Sequence, residues 1–584
     1  MSAFALALAA LTLAPDAGTS APEPMPAWNT SGVRAGRGSA PVGTARYAVP
    51  AGAIYVDGSH GSTHATGAVG APFASVQKAI DKASSGGTVV LRGGTYNQSL
   101  TVPAGKRLTI QSYPGEAVWF DGSKRLTSWH RLGTAWYSTG WNHHFDSSPT
   151  DTKGAPDGTS AGWQWVNPAK PMAAHPEQIW IDGSPLQEVG SFAQVKPGTF
   201  FADTAAKRLY IGSSPVGREV RAAVLTKAMS LRGDGVTVRG IGIRRYATSV
   251  WMMGAVTIEA PNATLENVAV YDSATTGVFV GAADATLMNL TVARNGLLGV
   301  GANNADNLRV GGLLVVQNNS EGFNRAPVSG GLKITKSRRL SVADSAFLGN
   351  DGPGIWVDES VYDIDILRND ILGNTGSGIL LELSQRADVI DNLVLDSGGS
   401  GVKINNTGSV ELWNNTIVGA DRPLNIVQDA RRADDSSVPG HDKRRPFPDP
   451  AMPWLVNGVG VGNNVVAASS GDCTYCVEDY SLRFTAAQMG ISSNGNLLQR
   501  AAVDAPAWLV VWSRGAINRN PAVYTTLASY TNSTGQDASS LSVDGRAVVD
   551  STGRLLAGLA TRPVNPPEAV AALGAATRVG ASFR

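Results

Sequence analysis

The sequence predicts a mostly β solenoid of stacked parallel strands, interrupted by an inserted β-rich domain. Three observations predict it. A short phrase recurs at a fixed period: glycine, aliphatic, any residue, aliphatic, polar. It starts at Gly331 (GLKIT), Gly354 (GIWVD), Gly378 (GILLE) and Gly401 (GVKIN), in steps of 23, 24 and 23 residues. A repeat of this length marks stacked coils, each burying its neighbour's open face. The chain between copies holds short alternating strands, such as Leu340–Asp344 and Val410–Trp413, but no helical pattern. Finally, 67 of the 584 residues are glycine and only 16% are charged, as suits a chain that turns often. A β-sandwich would also give many short strands, but not a repeat that keeps its phase.

Taken in order, residues 1–50 read as a signal peptide and disordered leader. Ala3–Ala14 is an apolar run of h-region length ended by Pro15, and an Ala-, Pro-, Gly- and Ser-rich stretch follows. The h-region lacks a basic residue before it, yet export is the expectation. Residues 51–126 read as an N-terminal cap and first coils. Phe73–Lys82 (FASVQKAIDK) has helical periodicity and precedes the strand Thr88–Arg92. A helix there would cover the exposed end of the first coil. Residues 127–224 carry strand-like pieces (QIWIDG, RLYIGS) without the repeat phrase, and read as the inserted domain. Coils resume over 225–430, with weaker copies at Gly277 and Gly299. Asn350 and Asn374 each precede a repeat glycine by four residues. Asparagine tolerates left-handed turns, and stacked asparagines can bond between coils. Residues 431–584 read as a polar, proline-rich link (430–450) and a C-terminal region of open role.

Composition excludes several classes. Net charge of +1 leaves no basic footprint for nucleic acid or an anionic membrane. The two cysteines, Cys473 and Cys476, are too few for a zinc site and lack a βαβ context for a redox motif. They read as a local disulfide or two idle thiols. No cofactor and no metal are expected.

Side chains alternate along a strand. The aliphatics of each phrase therefore point inward, and the third and fifth residues point outward. Stacking gives one outward row of Lys333, Trp356, Leu380 and Lys403, and a second of Thr335, Asp358, Glu382 and Asn405. Asp358 and Glu382 fall on consecutive coils, so their strands lie about 4.8 Å apart. Two carboxyls so close resist joint ionisation, which leaves one protonated and one charged. That is the pair a retaining glycosidase uses, at a separation of about 5–5.5 Å. Trp356, outward beside them, reads as a platform for stacking a sugar, with Lys333 and Lys403 bracketing the site.

The stretch GIWVDESVYDIDILRNDILGNTGSGILLELS resembles the core of right-handed parallel β-helix glycoside hydrolases, a group that includes β-xylosidase and α-L-fucosidase families. The insert, with HPEQIWIDGSPL and KRLYIG, is similar to the β-rich insertion common in such proteins. The likeness spans about residues 51–430. It implies a right-handed helix, Asp358 as nucleophile, Glu382 as general acid/base, and an oligo- or polysaccharide substrate. It does not fix the sugar.

Further substrate contacts are expected from Glu359, next to Asp358, and from Glu321 and Asn324 in a loop bulging beside the acidic row. Asn405, Asn425, Gln428 and Asp429 would extend the groove. His143, His144, Trp163 and Trp165 in the insert could wall the cleft, whereas Trp413, on another strand, reads as structural. Two other functions fit the same fold. A calcium-dependent polysaccharide lyase would use Lys333 or Lys403 as base and the carboxylates as ligands. A non-catalytic glycan-binding solenoid would need neither carboxylate.

Overall fold

The computed structural model describes residues 33–34, 36–148, 164–517 and 519–582. Three sheets of 13 strands each run its length as a parallel β-helix. Every coil adds one strand to each sheet, in register. In the site-bearing sheet, for example, Leu332 pairs with Ile355, Ile355 with Ile379 and Ile379 with Val402. The inward residues of these strands are fully buried and form one continuous core from Val56 to Tyr530. The coils continue past residue 430, through Val459–Gly462, Cys473–Asp479 and Trp508–Trp512, so most of the C-terminal region belongs to the solenoid.

Both ends are closed. Val76–Lys82 is an α-helix capped by Ser75, whose side chain accepts the Lys78 N–H, and it lays Val76, Ala79 and Ile80 on the first coil. At the far end Ala522–Tyr524 pairs antiparallel with Trp508–Trp512, and the helix Leu527–Thr534 buries Tyr530 there.

Two buried asparagine ladders run along the corners of the coils. Asn295, Asn318, Asn350 and Asn374 form one; Asn369, Asn392, Asn415, Asn464 and Asn496 form the other. From the second member of each ladder on, the side-chain oxygen accepts both the amide and the backbone N–H of the asparagine one coil back, as Asn374 does from Asn350 at 2.9 and 3.0 Å. The left-handed turn is made by the residue before each ladder asparagine, such as Gly349, Gly373, Asp391 or Asn414, and not by Asn350 or Asn374 as their residue type suggested. The asparagine itself satisfies backbone groups that the bend removes from the sheets.

The insert leaves and rejoins the helix without breaking register. Thr109–Ser112 pairs directly with Thr237–Arg239, on the far side of the insertion. Ser123–Arg125 pairs antiparallel with Val220–Ala223, so exit and return are adjacent strands. Between them lie a four-stranded and a five-stranded sheet around Ile179, Phe200 and Ile211.

The leader expectation needs correction over its second part. Residues from Arg34 onward lie along the outside of the coils: Arg34 pairs with Asp370 at 2.7 Å, and Gly38 donates to the Gly312 carbonyl at 2.8 Å. Those partners are outward polar groups of the helix, which a sequence window on the leader alone does not contain. Ala3–Ala14 lies outside the described residues.

Asn392→Ala removes the acceptor of the Asn369 backbone N–H and one bond of the Asn415 amide oxygen. Leaving buried polar groups unpaired at this point is expected to lower stability by about 3 kcal/mol. The urea midpoint of the variant against wild type measures it.

Candidate active site

Five consecutive strands build the site: Gly330–Thr335, Ile355–Asp358, Ile379–Glu382, Ser400–Asn405 and Arg422–Gln428. The register aligns Lys333, Trp356, Leu380, Lys403 and Asn425 in one outward row. It aligns Thr335 with Asp358 and Glu382 with Asn405 in the next. Asp358 and Glu382 follow the aligned pair Val357 and Leu381, so they are neighbours across coils, as the repeat requires. Each is the last residue of its strand, and a left-handed residue, Glu359 or Leu383, turns the chain immediately after it.

The pair is not an open surface. Asp358 is 7% exposed and Glu382 8%. Each carboxylate has its own cation. Lys333 Nζ lies 2.9 Å from Asp358 Oδ2 and also donates to the Pro327 carbonyl. The Glu359 N–H donates to Asp358 Oδ1 at 2.7 Å. Arg431 Nη2 lies 2.6 Å from Glu382 Oε1, and the Trp356 indole donates to Oε2 at 3.2 Å. Burial raises the Asp358 carboxyl to about 6; Lys333 opposes that rise, while the Glu382 and Glu359 charges reinforce it.

Trp356 is where the expectation fails most clearly. It is 5% exposed, lying beneath the Lys333 ammonium, whose Nζ is 3.4 Å from the ring centroid. It is therefore a cation–π support for Lys333 and a donor to Glu382, not an open stacking face. The alternation rule gives its direction correctly, and the Lys333 ammonium lies over its outward face. The segment 164–174 packs through Trp165 and Val166 against Leu297, Leu298 and Phe323, and Trp165 lines a cavity with Lys333. The segment 430–450, expected as a link, folds back with the residues that follow it: Trp454 is buried, His441 stacks on it at 4.4 Å, and Ser360 Oγ donates to the Gly440 carbonyl.

The other expected contacts divide. Asp429 grips Arg431 (2.7 Å) and accepts from the Asn406 amide (2.6 Å), so it places the cation that meets Glu382. With its amide oxygen toward Arg431 at 2.8 Å and its nitrogen toward the Val427 carbonyl, Asn405 steadies the same guanidinium. Glu359 pairs with Lys336 at 2.6 Å. Asn425 donates to Ser400 Oγ beside Lys403, along the row from the acids. Gln428 is buried and bonds Trp454 and Val456 backbone, a structural role. Asn324 donates to the Gln164 and Trp165 carbonyls and thus holds the 164–174 segment. Glu321 faces a different cavity, on the insert side, with Lys170 and Glu188. His143 packs between Trp141 and Phe145 within the insert, away from the acids. Trp163 lies outside the described residues. Trp413 donates to Glu411 and is buried, as expected of a structural residue. Arg431 was not foreseen; its only sequence signal is a basic pair in a segment that reads as a linker.

A cavity of about 280 Å³ reaches Lys333 and Glu359, the ion-pair partner and the chain neighbour of Asp358. Trp165, Phe279, Asn303, Thr335, Lys333 and Glu359 line it. Lys333 is shared between this space and Asp358. The cavity thus offers an aromatic wall, amide and hydroxyl groups and charges next to buried carboxylates, which suits a polyhydroxylated ligand.

Residues 254–417 match the family model described as "Right handed beta helix region". A pectate lyase, PEL9, of Emericella nidulans is 40% identical over 83 residues, 13% of this chain and 20% of that protein; the chain thus spans about a fifth of the length of the curated relative it matches. Among solved structures, the complex of XylC with xylose superposes with a TM-score of 0.56 at 13% identity, covering 76% of this chain and 83% of that one. An alginate lyase, AlyGC, gives 0.43 at 11% identity over 87% and 55%. The fold is a right-handed parallel β-helix, as the repeat and the resemblance led us to expect.

Asp358 titrates near 6 in the folded chain and near 3.8 in the unfolded one. The folded state then binds more protons between these values, so this group's contribution to stability falls as pH rises from about 4 to about 6 and is level above. Asp358→Asn removes that term. The melting temperature of the variant relative to wild type is expected to climb across this interval and then plateau, as read by scanning calorimetry at stepped pH.

Proposed function

We propose that the protein is a carbohydrate-active enzyme, and specifically a glycoside hydrolase acting with retention. The observation that carries this reading is the Asp358–Glu382 pair, two buried carboxyl groups set side by side on adjacent coils. The likeness to XylC with xylose supports a sugar substrate, through the fold. In the first step Glu382 must enter as the carboxylic acid: the Asp358 carboxylate attacks the anomeric carbon while Glu382 gives its proton to the departing glycosidic oxygen and becomes the carboxylate that Arg431 holds. That bond breaks and a glycosyl ester forms on Asp358. In the second step Glu382 takes a proton from water, whose oxygen attacks the same carbon, and the ester bond breaks to restore Asp358. Lys333 stabilises the ionised nucleophile. Arg431 stabilises the carboxylate that Glu382 becomes after proton transfer, and the Trp356 indole fixes its orientation. The sugar enters through the cavity of Phe279, Asn303 and Thr335, displacing the Lys333 contact with the Pro327 carbonyl.

We also propose that the chain is exported. The Cys473–Cys476 disulfide fits an oxidising compartment.

A second reading is a polysaccharide lyase, favoured by the local likeness to PEL9 and by a lysine beside the acids. Proton abstraction would fall to Lys333. However, Lys333 and Arg431 already occupy an oxygen of each carboxylate, which leaves a poor donor set for the 6–8 oxygens calcium takes.

A panel of aryl glycosides and polysaccharides, with product anomers followed by NMR, tests the two. Asp358→Asn and Glu382→Gln are each expected to lower kcat/KM at least about 1,000-fold, with a retained anomer and indifference to chelator. The acid limb of kcat/KM should fall near pH 6 and move upward in Lys333→Met, which loses the opposing charge. Calcium dependence and unsaturated, ultraviolet-absorbing ends would move the assignment to a lyase. Full activity in both carboxyl variants would remove this site from the reaction.

A further inference from the structure

A second group of buried acids lies where the insert meets the solenoid, and the hydrolytic mechanism does not use it. His175 and Glu177 stand two apart just before the strand Ile179–Ile181, and Glu188 is in the short strand Gln187–Glu188 that pairs with Thr199–Asp203. Two residues apart on extended chain, His175 and Glu177 face the same way. One ring nitrogen of His175 and one carboxylate oxygen each of Glu177 and Glu188 all fall within 4.8 Å of one another. His175 Nδ1 is 4.0 Å from Glu188 Oε1. The 4.0 Å separation is too long for a hydrogen bond, and the three side chains are close enough that a small movement would bring each ligand atom to about 2.0–2.2 Å from one shared ion.

Glu188 supplies the independent observation. Its side chain is 6% exposed, and its Oε2 is buried with no hydrogen-bond partner among the described residues. Glu177 is buried as well. No lysine or arginine pairs with either acid among the described residues. Burial drives both carboxyls upward, and Glu177 and Glu321 add repulsion at Glu188. A buried carboxylate without a partner is costly, and the fold has gathered two of them against one imidazole. The His175 side chain is 39% exposed, which leaves a way in from solvent. On the other side Glu188 borders a cavity of about 550 Å³ with Lys170, Met172, Gln194 and Glu321.

We propose that His175, Glu177 and Glu188 bind a divalent transition-metal ion of the Zn²⁺ type. One imidazole with two carboxylates is a nitrogen–oxygen set that suits zinc, whereas calcium takes oxygen ligands in larger number. Three protein ligands leave a fourth position open toward the cavity, as in sites that keep a water or a small ligand. The ion ties the loop ahead of Ile179–Ile181 to the edge of the five-stranded sheet, beside the 164–174 segment whose Trp165 lines the cavity next to Lys333. The site stands apart from the Asp358–Glu382 reading.

The test uses the full chain, stripped with chelator and kept free of reductant so that Cys473 and Cys476 stay bonded. Zn²⁺ is titrated calorimetrically, and the metal is located by anomalous scattering at the zinc edge in crystals. Wild type is expected to bind one Zn²⁺, to melt at a higher temperature when loaded, and to show the anomalous peak among the three side chains. Glu188→Gln, nearly isosteric, and His175→Ala are each expected to weaken binding by at least about 10-fold. No saturable binding by wild type, a peak elsewhere, binding unchanged in both variants, or Ca²⁺ held more tightly than Zn²⁺ would each overturn the proposal. If a proton instead of a metal neutralises Glu188, wild type ignores Zn²⁺ and Glu188→Gln melts no lower, which also overturns it. Should His175→Ala fail to fold, the wild-type anomalous map still decides.

Discussion

Hydrogen bonding between successive coils, in strict register, is the constraint on which the other features depend. A parallel strand cannot satisfy its own backbone groups, so each coil must present donors and acceptors at the spacing its neighbour expects. The asparagine ladders extend that demand around the corners, where the sheets end. Register in turn decides which side chains are neighbours. Lys333 falls beside Trp356, and Asp358 beside Glu382, because Leu332, Ile355, Ile379 and Val402 must stack inside. A one-residue slip would turn the acids into the apolar core and the aliphatics outward. Selection for a packed interior thus fixes the geometry of the carboxyl pair without dedicated contacts between the two acids.

Placing that pair under cover creates an electrostatic problem, which the structure meets with cations from different directions. Lys333 comes from the preceding coil and is seated on Trp356. Arg431 comes from the 429–458 segment and is braced by Asp429 and Asn405. Two like charges in a dry site oppose each other, and a single shared cation would draw them toward the same protonation state. Each cation favours the ionised form of its own carboxyl, and burial works against it. Low exposure then strengthens each interaction while leaving the acids dependent on partners that a substrate must displace or join.

How much of this the sequence carried follows from which contacts are periodic. The coil period, the capping helix, the insert and the outward direction of Asp358 and Glu382 all come from local pattern, and they are legible. What covers the site is not. Arg431 reaches Glu382 from 49 residues away, and Trp165 arrives from the insert. Trp356 points outward as the alternation says, and is buried all the same. The C-terminal coils were hidden for a related reason. Asn415 meets Asn464 across 49 residues and Asn464 meets Asn496 across 32, because long excursions leave the helix between strands. A search tuned to steps near 23 passes over them, although the stacking beneath is unchanged. Glu321 lies on the insert side, with Lys170 and Glu188, because its loop bulges in a direction no repeat specifies.

The insert explains why one helix can hold two unlike polar sites. Exit and return strands are adjacent, so any sheet between them can change without disturbing the stack: Thr109 still meets Thr237. The segment 164–174 is anchored at both functional margins. Asn324 holds its start, Trp165 borders the cavity beside Lys333, and Lys170 reaches Glu321 on the insert side. Its position therefore depends on the seam where His175, Glu177 and Glu188 gather. A change that draws those three together also constrains the wall of the space next to Asp358. The solenoid provides rigid register for the reacting groups, and the insert provides a wall whose placement rests on a separate set of polar contacts.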